Sequence, residues 1–381
     1  MVYLDHNAST PLDARVLEAM QPYLLANFAN ASALYREGRV ARAAIDQARE
    51  QVAAFVGAHP SQVVFTSGGT EANNLALKGA VLGMDLTHVA VSGIEHSSVL
   101  QAAKALQRRG VTVTQLPVEH TGQVDVTTAS GHLTSGQWVT LMWVNNETGV
   151  IQEVSAMAAA AREVGAFVHC DAVQAAGKLR IDFNTSGAHV LTLSAHKING
   201  PKGVGAMVFD RALDIEPLLH GGGHEHGLRA GTENVAGIVG FGAAAALAAA
   251  ELEARVAHVS ALRTLLEARL AATLPGITVF GQQAPRICNT SFIAVPDVHG
   301  ETLLTALDAE GFAVGSGSAC ESKTGQPSHV LMAMGVAPSL AEGALRISLG
   351  HATTLTEIES FTVVLAKVIA QFRDMAAVRL A

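Results

Sequence analysis

Short apolar runs alternate with stretches of helical periodicity through the first two-thirds of the chain. Runs at 63–65, 89–91, 111–113, 139–144, 167–170 and 190–193 predict strands. Between them, 40–55, 71–82, 99–108 and 154–163 repeat their apolar positions at helical spacing. This alternation predicts an α/β domain on a mostly parallel sheet, with its ligand site at the carboxyl ends of the strands. A long alanine-rich helix over 235–274 then leads to a second unit. That unit has strands at 277–280, 287–294 and 345–348 and helices at 301–309 and 356–375, an α+β pattern. The expected division is a large domain over 13–250 and a smaller α+β domain from 1–12 and 251–381.

Composition supports a large interior. Of 381 residues, 49% are hydrophobic and only 15% charged, so two buried cores are within reach. Aromatics are 4%, which makes those cores aliphatic. The most apolar stretch, 235–252, is rich in Gly and Ala and reads as a buried helix, so no membrane span is expected. A net charge of −8 argues against nucleic-acid binding. Three cysteines, Cys170, Cys288 and Cys320, have no paired spacing. Free thiols and the absence of a signal-peptide pattern point to the cytoplasm.

The chemistry lies where strands end. Lys197 leaves an apolar strand through Ser194-Ala195-His196, and desolvation there would lower its pKa and free the amine for Schiff-base chemistry. Asp171 ends another strand. It either caps the following turn or faces the protonated nitrogen of a pyridine ring, with Gln174 three residues on. Ser67-Gly68-Gly69-Thr70 opens a helix and can close backbone N–H groups on an anion. His96 follows a strand and can stack on a planar ring or relay protons. Asn145-Asn146 forms a turn and offers neutral donors. The run from Gly221 to His226, with His220 and Arg229-Ala230-Gly231-Thr232 near it, suits an anion better than zinc. Cys320 sits in a small, polar loop, Gly315 to Ser322, as an exposed thiol open to reaction. Cys170 and Cys288 lie in apolar strands.

Together these segments resemble the cysteine desulfurases, the NifS/IscS-type branch of the class V aminotransferase-like enzymes. The resemblance runs from Tyr3-Leu4-Asp5 to Gly350. It is carried by Ser-Gly-Gly-Thr-Glu-Ala-Asn-Asn at 67–74, Asn-Asn-Glu-Thr-Gly at 145–149, His-Lys at 196–197, Gly-Gly-Gly-His-Glu at 221–225 and Gly-Ser-Ala-Cys at 317–320. It implies the fold type I transferase architecture, with a seven-stranded sheet in the large domain and pyridoxal 5'-phosphate as cofactor. Lys197 would carry that cofactor, Asp171 would pair with its ring nitrogen, and His96 would stack on the ring and exchange protons. Asn146 and Gln174 would address the oxygen side. Gly69, Thr70, Ser194 and His196 would bind the phosphate, with Thr232 reaching in from the second subunit of a homodimer. Arg346 would hold the substrate carboxylate, with Asn30 and Asn146 beside it.

The implied reaction moves sulfur from L-cysteine to Cys320 as a persulfide and leaves L-alanine. The small domain would carry the Cys320 loop, and the sulfur would pass to an acceptor protein, an iron–sulfur scaffold or a thiolation protein. No resident metal is expected, although Cys320 could touch a cluster or metal in passing. Two alternatives stay open. One is a selenocysteine lyase or another class V aminotransferase; the other is a non-catalytic assembly subunit of the same fold.

Overall fold

The computed structural model of the chain describes residues 1–296, 298–316 and 327–380, with side chains through Asp374. In chain order the strands are β1 Val2–Tyr3, β2 Val63–Thr66, β3 His88–Ser92, β4 Thr112–Leu116, β5 Trp138–Thr140, β6 Phe167–Asp171, β7 Val190–Ser194, β8 Gly205–Phe209, β9 Thr278–Val279, β10 Thr290–Ala294, β11 Phe312–Ala313 and β12 Ala344–Ser348. Seven of them form one sheet in the order β2-β8-β7-β6-β5-β3-β4. The pairs from β7 through β4 are parallel, and β8 runs antiparallel to both of its neighbours.

Side chains on both faces of this sheet are buried. On one face, Val139, Val168, Leu191 and Ala206 pack with the helices Arg36–Phe55, Val154–Glu163 and Val235–Ala250. On the other, Val89, Val91, Val190 and Met207 pack with the helical run from 69 to 83 and with Ser97–Gln107. Burial on both faces is what continuous Val/Leu/Ile runs encode, and each fully buried aliphatic side chain contributes about 1.5–3 kcal/mol. Smaller units stand beside this sheet. β12-β10-β9 is antiparallel, and β1 pairs with β11 in parallel. Their shared core joins Leu4 to Leu266, Ile293, Leu345 and Phe361.

Several elements depart from the sequence reading. The strand expected over 139–144 stops at Thr140: Leu141 and Trp143 still donate to His169 and Asp171 of β6, but pairing with β3 ends there. Met142 N–H donates to the Glu95 carboxylate at 2.7 Å, and Asn145 folds its Oδ1 back onto the N–H groups of Glu147 and Thr148. β8 was not anticipated: it starts on two small residues and follows β7 too closely for a crossover helix. The helix expected over 235–274 breaks at Glu251 into Val235–Ala250 and Leu252–Thr273. Val235–Thr273 is long and apolar enough to cross a membrane, yet half of its most apolar window is buried in the protein. The helix Ala14–Leu25, absent from the sequence reading, packs on Val235–Ala250.

One glycine has a direct bearing on the site. A Cβ on Gly205 would stand 2.6 Å from both Gly68 C and Leu193 O. Only glycine at the start of β8 lets the 67–70 turn lie this close to the end of β7.

Candidate active site

The carboxyl ends of the parallel strands open onto a cavity of about 370 Å³. Ten of the side chains expected from sequence line it: Gly69, Thr70, His96, Asn146, Asp171, Gln174, Ser194, His196, Lys197 and Arg346. Asn7, Asn73, Ser98 and His329 line it too and were not anticipated. Two expected residues lie elsewhere in this chain. Asn30 is on an exposed turn, where its Oδ1 accepts the Ser32 N–H at 2.8 Å, so the structure does not bring it to Arg346. Thr232 is exposed and does not line the cavity of its own chain. Cys320 lies outside the described residues.

Lys197 sits in the turn Ala195–Lys197 directly after β7. Its Nζ donates to the backbone carbonyls of Asn7 and, at 2.8 Å, Ala8. It has no carboxylate partner among the described residues. Burial, then the positive charges of Lys178 and Arg346, lower its pKa to about 7. At neutral pH a large share of this amine is therefore free base and nucleophilic.

Asp171 ends β6 and is buried. Its Oδ1 accepts the Val173 N–H at 2.9 Å, and its Oδ2 accepts Asn73 Nδ2 at 2.7 Å. Asn73 also donates to Ser98 Oγ at 2.9 Å and accepts from Thr192 Oγ1 at 2.5 Å. Ser98 in turn contacts His96 Nδ1 through its N–H and its hydroxyl. Asp171, Asn73, Ser98 and His96 thus form one buried chain of hydrogen bonds. Asp171 Oδ1 caps the next turn, and the side chain also lines the cavity.

Arg346 lies on β12, almost fully buried. Its Nη2 meets Asp5 Oδ1 at 2.7 Å, and its Nη1 donates to Asn146 O at 3.1 Å. Its Nε is buried without a partner. Its backbone pairs in both directions with Gly315, at 2.9 and 2.7 Å. Asn7 ties the two halves of the cavity together. Its carbonyl accepts Gln174 Nε2 and Lys197 Nζ, while its side chain reaches Asn146, Thr290 and Asn289.

The far end of the cavity is rich in donors. Gly69 and Thr70 begin a helical run, and Ser194, His196 and Lys202 stand around a side pocket they share. Burial holds His196 at about 4, a neutral donor or acceptor. Glu225, in the motif around Gly221, holds that loop in place. Glu225 grips Arg49 at 2.7 and 2.8 Å and accepts the Phe65 N–H at 2.7 Å, which clamps that loop to β2. Among the described residues no His, Cys, Asp and Glu side chains gather as a metal site.

The donor set fits pyridoxal phosphate. A partly deprotonated lysine without a carboxylate partner among the described residues, a buried carboxylate from the next strand, a neutral imidazole and an anion-binding end stand around one cavity of suitable size. Such a site on a mostly parallel sheet defines a fold type I transferase of the pyridoxal-phosphate enzymes. The aminotransferase class-V family matches residues 2–361, and the chain belongs to that family. The chain is 41% identical to the cysteine desulfurase of Trichormus azollae, over 98% of this chain and 94% of that one. Among solved structures, a NifS-like protein superposes with a TM-score of 0.91 at 34% identity, covering 97% of this chain and 99% of that one. A structure of SspA in complex with cysteine has a TM-score of 0.82 at 34% identity, covering 93% and 100%.

Proposed function

We propose that this chain is a pyridoxal-phosphate-dependent cysteine desulfurase that releases L-alanine from L-cysteine and hands on the sulfur. The observation that carries the reading is Lys197, a buried amine held only by backbone carbonyls among the described residues, with a pKa of about 7, in a cavity that also holds Asp171 and Arg346. Bound cofactor would supply an electron sink for the amino acid's carbon skeleton. Lys197 would hold it, and the Lys197 amine would move the α-proton. Asp171, fixed by Val173 and Asn73, would keep a pyridine nitrogen protonated. Ser194, His196 and the helix start at Gly69-Thr70 would hold its phosphate. Arg346 would bind the substrate carboxylate, because its planar fork matches two carboxylate oxygens.

Cys320 is proposed as the sulfur acceptor, delivering a persulfide to a second protein. Replacing Cys320 with Ala should abolish sulfide and alanine production while the visible cofactor band persists. Sulfur release that continues unchanged would favour a plain lyase. The reading also takes 13–250 as the cofactor domain and 1–12 with 251–381 as the smaller domain, in a cytoplasmic enzyme.

A homodimer belongs to the same proposal. Leu25, at the end of the helix Ala14–Leu25, and Phe28 and Leu34 beyond it are 79%, 87% and 90% exposed, which is costly unless covered. A second copy covering this segment would bring a partner surface towards the cavity mouth, where Thr232 could serve its neighbour. Phe28→Asp with Leu34→Asp should give a monomer by light scattering, with weakened cofactor retention. A dimer that persists in this variant argues against this surface.

A further inference from the structure

Of the three imidazoles that line the reaction cavity, His96 and His329 have hydrogen bonds that give them opposite capacities. His96 caps the helix Ser97–Gln107, its Nδ1 accepting the Ser98 backbone N–H at 3.2 Å. A backbone N–H only donates, so this Nδ1 carries a lone pair and the ring hydrogen sits on Nε2. The single lone pair of the ring is therefore already used. To protonate, His96 would have to release the cap and set a cation at a helix N-terminus. Burial holds it below the ordinary imidazole value, and Lys197 adds to that against the pull of Asp171. His96 is built to donate and not to accept.

His329 has the converse arrangement. Its Nε2 lies 3.0 Å from the backbone oxygen of Glu95. A carbonyl only accepts, so Nε2 carries the hydrogen and Nδ1 the lone pair. That Nδ1 takes no hydrogen bond among the described residues, and it is not one of the buried unpartnered atoms, so it is accessible. Ser328, just before it, anchors the short helix by its hydroxyl to Glu147 and by its Oγ to Leu331 N–H at 3.2 Å. His329 also lines an open groove outside the cavity, with Lys104, Gln115 and Glu342. One imidazole thus touches both the reaction space and a route to bulk water. The titratable groups around it are His96, Lys104, Glu342, Glu147, which accepts the Ser328 hydroxyl, and Glu95, whose Oε1 accepts the Met142 N–H.

We propose that His329 is the base that takes the thiol proton of a cysteine bound in the cavity, with His96 limited to donation. This rests on the desulfurase reading above. In the step the Sγ–H bond breaks, its electron pair stays on sulfur as a thiolate, and the proton forms an N–H bond at His329 Nδ1. The other ring N–H keeps its bond to the Glu95 carbonyl, which steadies the imidazolium. The new proton then leaves to water on the groove side. No oxidant or reductant is consumed.

The experiment follows alanine formation from cysteine between pH 6.5 and 9.5 in the cofactor-loaded wild type, His329→Gln and His96→Gln. A thiol ionises unaided near pH 8.5. His329→Gln should therefore fall roughly 100-fold at pH 7. Its deficit should shrink about tenfold per pH unit as the substrate ionises itself, and added imidazole should restore part of the rate. The deficit of His96→Gln should not change with pH. A visible band and melting temperature matching the wild type show that the His329 variant is folded and loaded; if they are lost, His329→Asn provides the same comparison. A His329→Gln rate within twofold of wild type at pH 7 overturns the assignment, as does a pH-dependent deficit that appears in the His96 variant instead. A wild type that makes no alanine at any pH overturns the desulfurase reading itself, and this base with it.

Discussion

The floor and the wall of the cavity are built in different ways. The floor is made of strand ends in one sheet. Asp171 ends β6 and Lys197 follows β7, and the two strands pair side by side. Its charge is adjustable, with an amine near neutrality beside neutral imidazoles. The wall comes from the ends of the chain. Arg346 reaches Asp5 and Asn146 across 341 and 200 residues of sequence, and Asp5 and Arg346 form a near-buried ion pair. The floor therefore prepares protons for transfer, whereas the wall holds a fixed charge for a carboxylate to find. The two sit on different sheets yet stay coupled, through Asn7 and through the charge of Arg346, which helps to lower the pKa of Lys197.

The largest break expected is at the floor. Lys197→Ala should lower alanine formation about 10⁴-fold or more, since it removes both the covalent anchor and the proton-transferring amine. Borohydride treatment of the loaded wild type should fix the cofactor to Lys197, and the variant should take up no such label. Residual activity within a hundredfold would mean that another group does the floor's work.

The wall should fail as a structure before it fails as a catalyst. Asp5→Asn leaves the Arg346 guanidinium buried with one neutral contact in place of its counter-charge. Removing one partner of such a pair should cost about 3 kcal/mol in unfolding free energy. The KM for cysteine should change more than kcat, because the arginine binds the substrate carboxylate in ground state and transition state alike. A variant that loses kcat alone would place Asp5 with the floor. Asn73→Ala probes the chain that links Asp171 to His96. It leaves Asp171 Oδ2 and Ser98 Oγ without their donor, at about 1–3 kcal/mol. Its expected signs are a lower melting temperature, a rate reduced about tenfold and a shifted visible band.

This contrast also explains what was legible in sequence. The floor could be read because an apolar run followed by Asp171 or Lys197 is a local pattern. The phosphate end was local too, in Ser67 to Thr70. The wall rested on family resemblance, since nothing near Arg346 in sequence points to Asp5. Asn7, which joins floor and wall, was missed for the same reason: its partners are Gln174, Thr290, Asn289 and Lys197. Asn73 lay inside a recognised motif, yet its task depends on Asp171 and Thr192, 98 and 119 residues away. Glu225 stands among three histidines in sequence, but the fold hands it to Arg49. His329 gave no signal because a histidine early in a short helix is commonplace, and only the Glu95 carbonyl fixes its tautomer.

The smallest effect expected is also the most specific to the floor. In the cofactor-free protein Lys197 loses its proton at about pH 7, whereas an unfolded lysine does so near 10.4. Below pH 7 both states are protonated and folding carries the full penalty of a buried ammonium. Between about 7 and 10.4 the unfolded state binds the extra proton, so stability rises with pH by at most ~1.4 kcal/mol per unit. Lys197→Met has no such penalty, so it should be the more stable protein at pH 7, and its advantage should shrink steadily by pH 9. Other groups titrate across this range: Glu95 is pushed up to about 8 by burial, and Lys178 down to about 8. Both are present in the two proteins, so the difference between the two urea midpoints, taken at pH 7, 8 and 9, reports Lys197 together with its repulsion of Lys178. An advantage that stays constant with pH would mean that Lys197 keeps an ordinary lysine's affinity for its proton, and the floor would then lose the feature that separates it from the wall.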